Sequence, residues 1–276
     1  MNLTLNSNRP DAGVPAAFRR VLRAQESGIY EQDDLIVREK ALTVYLNAKE
    51  FTTIVCSPTH LDYMAVGFLC AEGILQKRSD LRDITIDEEK GLAFVATGGQ
   101  AGNLAEQLFL KRYITPCCGR SRASFYFSTD ALLCKNITSG LRVTVDGVLS
   151  LAAELEERSR LYHRTGGVHS AALAVDGKIL VFQEDVGRHN TLDKILGQCF
   201  LEEIPLEDKL IVFSGRVSSE VLLKTAKMGV AVIISRSAPT DLALDLAEDL
   251  GITVIGFARD KRFNIYTHPE RVVSRG

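Results

Sequence analysis

Apolar positions in the first half of the chain set its clearest helical pattern. Leu61, Met64, Ala65, Phe68 and Leu69 recur at i, i+3, i+4, i+7 and i+8, which lines one face of an α-helix. Ser57 as cap and Pro58 in the first turn predict where it starts, and Gly73 where it ends. Ahead of it, ALTVYLN (41–47) and FTTIVCS (51–57) read as a hairpin, and residues 84–87 and 92–97 read as a second one. Residues 1–30 carry little periodicity and are expected to form a loosely ordered lead-in. Residues 98–102 predict a flexible turn and 103–112 a helical segment.

The second half has a different pattern. Ser150 opens an amphipathic stretch to about Tyr162, and residues 168–175 and 178–184 flank Asp176-Gly177, a hairpin signal. A helix is expected from about Asn190 to Phe200. Three apolar runs follow, at 210–214, 231–235 and 253–257, separated by helical patterns from Ser218 to Met228 and from Thr240 to Leu250. Strands that are apolar throughout are covered on both faces. The order therefore predicts a βαβαβ layer structure with parallel strands and right-handed crossovers. A chain of 276 residues accommodates one large domain or two modest ones.

Composition narrows the function classes. The net charge is −2 and the pI about 6.2, which excludes broad attraction to nucleic acid or a membrane surface but leaves room for a local basic pocket. No apolar run approaches the roughly 20 residues that span a bilayer, and the first residues lack the apolar core of a secretory signal. The expectation is a cytoplasmic protein. Six cysteines at positions 56, 70, 117, 118, 134 and 199 have no framework-like spacing, so they are expected to be free thiols.

Ligands in open α/β sheets bind outside the carboxyl ends of the strands. Those ends read Ser214-Gly215-Arg216, Ser235-Arg236-Ser237 and Phe257-Ala258-Arg259, with Asp260, Lys261 and Arg262 following in a loop. Arginine forks and helix N-termini both suit phosphate, so the rim points to an anionic ligand; surface salt bridges are the alternative for each arginine. Asp185, Arg188 and His189 in EDVGRH lie between a strand and a helix and can line the same pocket, or Asp185 can cap the helix and pair with Arg188 or His189. His169 opens a strand, a position more often structural.

Cys56, Cys134 and Cys199 stand in apolar or helical context, as packing thiols do. Cys117 and Cys118 differ: ITPCCGRSRAS (114–124) has Pro and Gly, with Arg112, Arg120 and Arg122 nearby. Positive charge favours the thiolate, the form that attacks sulfur or acyl centres. A zinc deaminase site does not fit, because P-C-C-G-R-S lacks the second thiol of P-C-x-x-C and His169 is followed by Ser170 and Ala171, without the glutamate of H-x-E.

The segments SPTHLDYMAVGFLCAEGIL (57–75), TGGVHSAAL (165–173), EDVGRHNTLDKILG (184–197), FSGRVSSEVLLKTAKMGV (213–230) and GFARDKRFNIYTHPERV (256–272) resemble the FdhD family of formate dehydrogenase accessory sulfurtransferases. The resemblance implies an α/β protein: a cytidine-deaminase-like three-layer domain at 125–276, a smaller α+β domain at 1–114, and a cysteine loop at 115–124 between them. It implies transfer of persulfide sulfur from a cysteine desulfurase to a molybdenum bis(molybdopterin guanine dinucleotide) cofactor serving formate dehydrogenase, in a cytoplasmic homodimer. Phe257, Ala258, Arg259, Asp260, Lys261 and Arg262 match the family's cofactor-associated loop, and Arg216, Arg236, Arg188, His189 and His169 join them as candidate contacts for its GDP-like part. The family's C-G-x-C falls on Cys118-Gly119-Arg120-Ser121, which makes Cys118 the implied persulfide carrier, Cys117 the alternate, and Ser121 a departure. The rival functions are a cofactor-binding or insertion chaperone without sulfur chemistry and a degenerate deaminase-like domain that only binds nucleotides.

Overall fold

A computed structural model describes residues 13–98, 134 and 136–274. The first elements correct the expected lead-in. Strands β1 (Ala16–Gln25) and β2 (Gly28–Val37) form an antiparallel hairpin. Its alternation was masked by charge, because both faces are largely exposed and Arg19 and Arg20 stand opposite Asp34 and Asp33 across the ladder.

Next come β3 (Lys40–Leu46), β4 (Lys49–Cys56), helix α1 (Leu61–Ala71), β5 (Leu81–Asp87) and β6 (Leu92–Thr97). Both expected hairpins are present, and they join in one four-stranded sheet of order β4-β3-β6-β5, with β3 and β6 parallel. The apolar stripe of α1 packs on it, bringing Met64, Ala65, Phe68 and Leu69 against Leu42, Val44, Ala93 and Val95. Gly73 takes a left-handed conformation just past the helix, as expected. The helix start is different. It begins at Leu61 after a left-handed His60, not at a Ser57 cap, because Ser57 is engaged with a distant loop.

The second half contains β7 (Val143–Thr144), α2 (Val145–Arg158), α3 (Arg160–Thr165), β8 (His169–Val175), β9 (Lys178–Asp185), α4 (Arg188–Leu201), β10 (Leu210–Phe213), α5 (Ser219–Lys227), β11 (Val232–Ser235), α6 (Asp241–Leu250), β12 (Thr253–Arg259), β13 (Arg262–Ile265) and β14 (Val272–Val273). The helix expected from Ser150 begins earlier because Thr144 Oγ1 accepts from Gly147 N at 3.0 Å. It breaks at Ser159, whose hydroxyl donates back to Leu155 O at 2.7 Å.

The main sheet has the order β13-β12-β11-β10-β8-β9. Its β10, β11 and β12 are parallel, and β8 and β13 run antiparallel to their neighbours. Along β10, Ile211 and Phe213 face α4, α5 and α6, while Leu210 and Val212 face α2. Two buried faces account for the unbroken apolar runs in the sequence. This is a mixed α/β fold in three layers. The expected domain boundary at 115–124 lies outside the described residues.

The two sheets meet where α1 crosses α4. At Gly67 an added Cβ would stand 1.7 Å from Asp193 O, and at Gly197 1.9 Å from Tyr63 O, so the helices touch backbone to backbone. Gly67→Ala or Gly197→Ala should therefore cost at least the ~1–3 kcal/mol of core overpacking. Denaturant unfolding checks this, with Gly140→Ala, where no atom lies within 4 Å of the new Cβ, expected to be near neutral.

Candidate functional site

Parallel β10, β11 and β12 end at one edge of the main sheet, β8 begins there, and β9 ends there. Helices α4, α5 and α6 start from the same edge. The topology thus gathers His169, Asp185 to His189, Ser214 to Ser218, Ser235 to Thr240 and Phe257 to Arg262 along one rim. From β12 to β8 is three strand intervals, roughly 14 Å at about 4.8 Å each.

Serine hydroxyls hold the turns of this rim. Ser170 N donates to Ser214 Oγ at 2.9 Å, and Ser214 N to Ser170 O at 2.9 Å. Ser235 Oγ donates to Gly215 O at 2.7 Å and accepts from Ser237 N at 3.0 Å. A Cβ added at Gly215 would lie 3.0 Å from the Phe213 ring and 3.5 Å from Arg188 Cβ, which places Arg188 directly beside that turn.

Beneath Arg188 is a fully buried ion pair. Asp185 and Lys194 are both 0% exposed, 2.7 Å apart from Oδ2 to Nζ. Asp185 Oδ1 accepts from Gly187 N at 2.9 Å and Asn190 Nδ2 at 2.7 Å, while Oδ2 accepts from Ser57 N at 2.9 Å. Ser57 Oγ in turn accepts from Val186 N at 3.1 Å. Asp185 is therefore tied to Lys194 and to backbone, not to Arg188 or His189 as the sequence alternative had it. The arrangement fixes the start of α4 against the β4–α1 corner.

No side chain caps the start of α4, leaving the positive end of the helix to the rim. Arg188 Nε is buried there with no hydrogen-bond partner among the described residues. His189 Nε2 reaches Glu220 Oε2 at 3.3 Å and spans the first turns of α4 and α5. His169 stands opposite Asp185 in the ladder. Burial, and next the Arg188 cation, hold its imidazole below the ordinary range, with Asp185 opposing. A neutral imidazole, an arginine with an unused N–H and an open helix start together suit an anionic, hydrogen-bonding ligand such as a phosphate.

The other candidates differ in availability. Arg236 is turned away, 2.9 Å from Glu156 and donating to Ala152 O at 3.3 Å. Arg216 is exposed. The expected loop at 257–262 is the tip of a β-hairpin, with Asp260 and Lys261 as a left-handed two-residue turn between β12 and β13. Phe257 is also left-handed, at φ 54°, where the ladder shifts register, and its N–H donates to Ser237 O at 3.1 Å. That conformation costs on the order of 1–3 kcal/mol and clusters at ligand sites. Arg259 lies 5.8 Å over the Phe257 ring, and Ala258 is buried, so only its backbone is at hand.

Cys117 and Cys118, with Arg112, Arg120, Ser121 and Arg122, lie outside the described residues. The chain that follows them is anchored: Ile137 N donates to Leu250 O at 2.9 Å, and Arg271 reaches Ser139 O at 3.3 Å and Ile137 O at 3.4 Å. Three of the other thiols, Cys56, Cys70 and Cys199, are unsuited to nucleophilic work. Burial is the first cause that pushes Cys56 and Cys199 up to about 12 and raises Cys70 further. Sequence reasoning missed Lys194, Ser57 and the rim serines. The one available signal was a lysine inside an otherwise core-facing helix segment, LDKILG (192–197).

Residues 37–273 match the FdhD/NarQ family. The chain is 49% identical over 263 residues to a sulfur carrier protein FdhD of Geobacillus kaustophilus, covering 95% of this chain and 99% of that one. It is 44% identical over 256 residues to the Bacillus subtilis protein of the same name, covering 93% and 97%. In fold it resembles the crystal structure of a Desulfotalea psychrophila protein assigned as a formate dehydrogenase accessory protein, with a TM-score of 0.77 at 24% identity, covering 94% of this chain and all of that one. The chain belongs to the FdhD/NarQ family.

Two measurements test this geometry. As pH falls, the unfolded state binds the His169 proton before the folded state does, so its stability contribution is full above the ordinary value of 6.5 and is lost below it. His169→Gln should flatten that part of the stability–pH curve, and an NMR titration should place His169 below 6.5. Lys194→Met leaves Asp185 buried and unpaired and should cost about 3–5 kcal/mol in chemical denaturation.

Proposed function

We propose that this member of the FdhD/NarQ family is a sulfurtransferase acting for formate dehydrogenase. Cys118 attacks the outer sulfur of a cysteine desulfurase persulfide; a new S–S bond forms, the old one breaks, and the desulfurase leaves as a thiolate. The persulfide S–S bond then breaks, Cys118 is released as a thiolate, and the sulfane sulfur passes to the molybdenum of a bis(molybdopterin guanine dinucleotide) cofactor, the bound substrate, whose reduced metal supplies the two electrons that make it a sulfido ligand. Sequence similarity to proteins named as sulfur carriers, across nearly the whole chain, supports the reading. So do the arginines flanking Cys118 in sequence, since positive charge favours thiolate and persulfide anions.

The observation that carries the cofactor side is the rim. Arg188, with its buried unused Nε, lies at the open start of α4 and holds a nucleotide phosphate, with His169 and the Gly215 turn that leads to Arg216 beside it. The hairpin tip from Phe257 to Arg262 takes a further part of the same extended ligand. In this reading the main sheet is a cytidine-deaminase-like layer used for guanine-nucleotide binding. The protein acts in the cytoplasm as a homodimer. Among the described residues no helix is long and apolar enough to cross a membrane.

Ser121, in place of the second cysteine of C-G-x-C, favours one second reading: a chaperone that holds and inserts the cofactor without moving sulfur. Incubation with a cysteine desulfurase and cysteine, followed by peptide mass spectrometry, separates the two. Sulfur transfer predicts a one-sulfur gain on Cys118, and a Cys118→Ala variant that still binds GDP but fails to activate formate dehydrogenase. No gain on Cys117 or Cys118, with GDP binding intact, supports the chaperone. Arg188→Gln should weaken GDP binding roughly 10- to 100-fold, the loss of a charge-assisted hydrogen bond of about 1.5–3 kcal/mol.

A further inference from the structure

Three arginines stand at the rim ends of the parallel strands, and the middle one is held apart. Arg216, after β10, and Arg259, at the end of β12, are exposed. Arg236 follows β11, which lies between those two strands. Its guanidinium is 2.9 Å from Glu156 Oε2 and donates to Ala152 O at 3.3 Å. Both acceptors belong to α2, which covers the sheet face opposite α4, α5 and α6.

The hold is weak. The Arg236 and Glu156 side chains are 24% and 36% exposed, and a pair so open to water contributes less than a charge-assisted hydrogen bond to phosphate. Neither acceptor depends on it. Ala152 O lies inside α2, where the helical ladder supplies a donor. Glu156 keeps His163, whose Nε2 is 3.5 Å from Glu156 Oε1, and solvent on its open side. Release of Arg236 therefore strands no buried charge.

The backbone of Arg236, by contrast, is fixed at the crest of the sheet beside the Arg188 site. Arg236 N donates to Phe213 O at 3.0 Å, and the Oγ of neighbouring Ser235 donates to Gly215 O at 2.7 Å. A Cβ added at Gly215 would stand 3.5 Å from Arg188 Cβ. The Gly215 turn thus separates two arginines, Arg188 on the α4 side and Arg236 directed to the α2 side. One arginine and one open helix start leave part of a diphosphate's charge unbalanced.

We propose that Glu156 sets the affinity of the rim for a nucleoside diphosphate by holding Arg236 in reserve. In the bound state Arg236 leaves Glu156 and joins Arg188 on the diphosphate. The proposal rests on the nucleotide-binding part of the functional reading above and deepens it; it is independent of the sulfur step. Glu156 acts through Arg236 and is a positioning residue.

Calorimetric titration of GDP into the full chain tests this with two single variants and their combination. Glu156→Gln and Arg236→Gln break the same ion pair, so a purely structural contact predicts the same sign of effect from both. The proposal expects opposite signs. Glu156→Gln should bind GDP about 2- to 5-fold tighter, the worth of a partly exposed pair that no longer has to break. Arg236→Gln should bind it roughly 5- to 10-fold more weakly. The double variant should match Arg236→Gln, since Glu156 then has no arginine to hold.

Unchanged or weaker binding by Glu156→Gln, or unchanged binding by Arg236→Gln, would overturn the proposal. So would a Glu156→Gln gain that persists in full in the double variant, which would reduce Glu156 to a repulsive charge. These failures leave the nucleotide reading standing as long as Arg188→Gln still weakens GDP binding. A wild type that does not bind GDP would instead remove the nucleotide reading and this proposal with it.

Discussion

The Asp185–Lys194 ion pair is the contact on which the rest of the structure turns. Neither partner reaches solvent, and taking two such ions out of water costs several kcal/mol each. Their attraction and the surrounding N–H groups offset that cost and add little net stability. What the pair contributes is position. Asp185 spends both oxygens on groups from three places: the start of α4, the middle of α4, and the β4–α1 corner at Ser57. One carboxylate therefore sets where the first turn of α4 stands relative to the four-stranded sheet.

The glycine crossing works in the same direction. Gly67 and Gly197 bring α1 and α4 into backbone contact, so the joint between the two sheets has no side-chain layer that could slide. Asp193, one residue before Lys194, is also nearly buried and meets Lys224 of α5. A chain of close contacts thus runs from α1 through α4 to α5, whose first turns bear Arg188, His189 and Glu220. The rim is preorganised by this joint, and an anion arriving there meets groups already in place.

Much of this was legible in the sequence, and the exceptions have physical causes. The parallel strands were readable because burial on both faces leaves only apolar residues at 210–213 and 232–234. The Asp176-Gly177 hairpin was readable because both positions need left-handed backbone, and they have it. The β1–β2 arm was not, since a ribbon exposed on both faces carries charge where a half-buried strand would carry none. Ser57 was misread because a serine before a helix usually serves that helix, whereas here it serves a loop 128 residues away. Arg236 matched the strand-end pattern of Arg216 and Arg259 in sequence, yet Glu156 on α2 claims it. Local pattern indicates which edge a residue occupies; a long-range partner decides whether it remains available.

The thiols and the arginines divide the chemistry between them. Burial keeps Cys56, Cys70 and Cys199 protonated at any physiological pH, so none of them competes for a persulfide. Exchange of sulfane sulfur requires a thiolate, and the arginine-flanked pair at 117 and 118 is where the sequence places cations beside thiols. In the proposed function the rim takes a different anion, with cations fixed on rigid elements instead of clustered beside sulfur. An overall charge of −2 keeps nonspecific polyanions away from both. Under the proposed function, local positive charge in an acidic background is the selective device: it would admit a phosphate-bearing substrate at a defined edge without turning the whole surface into an anion binder.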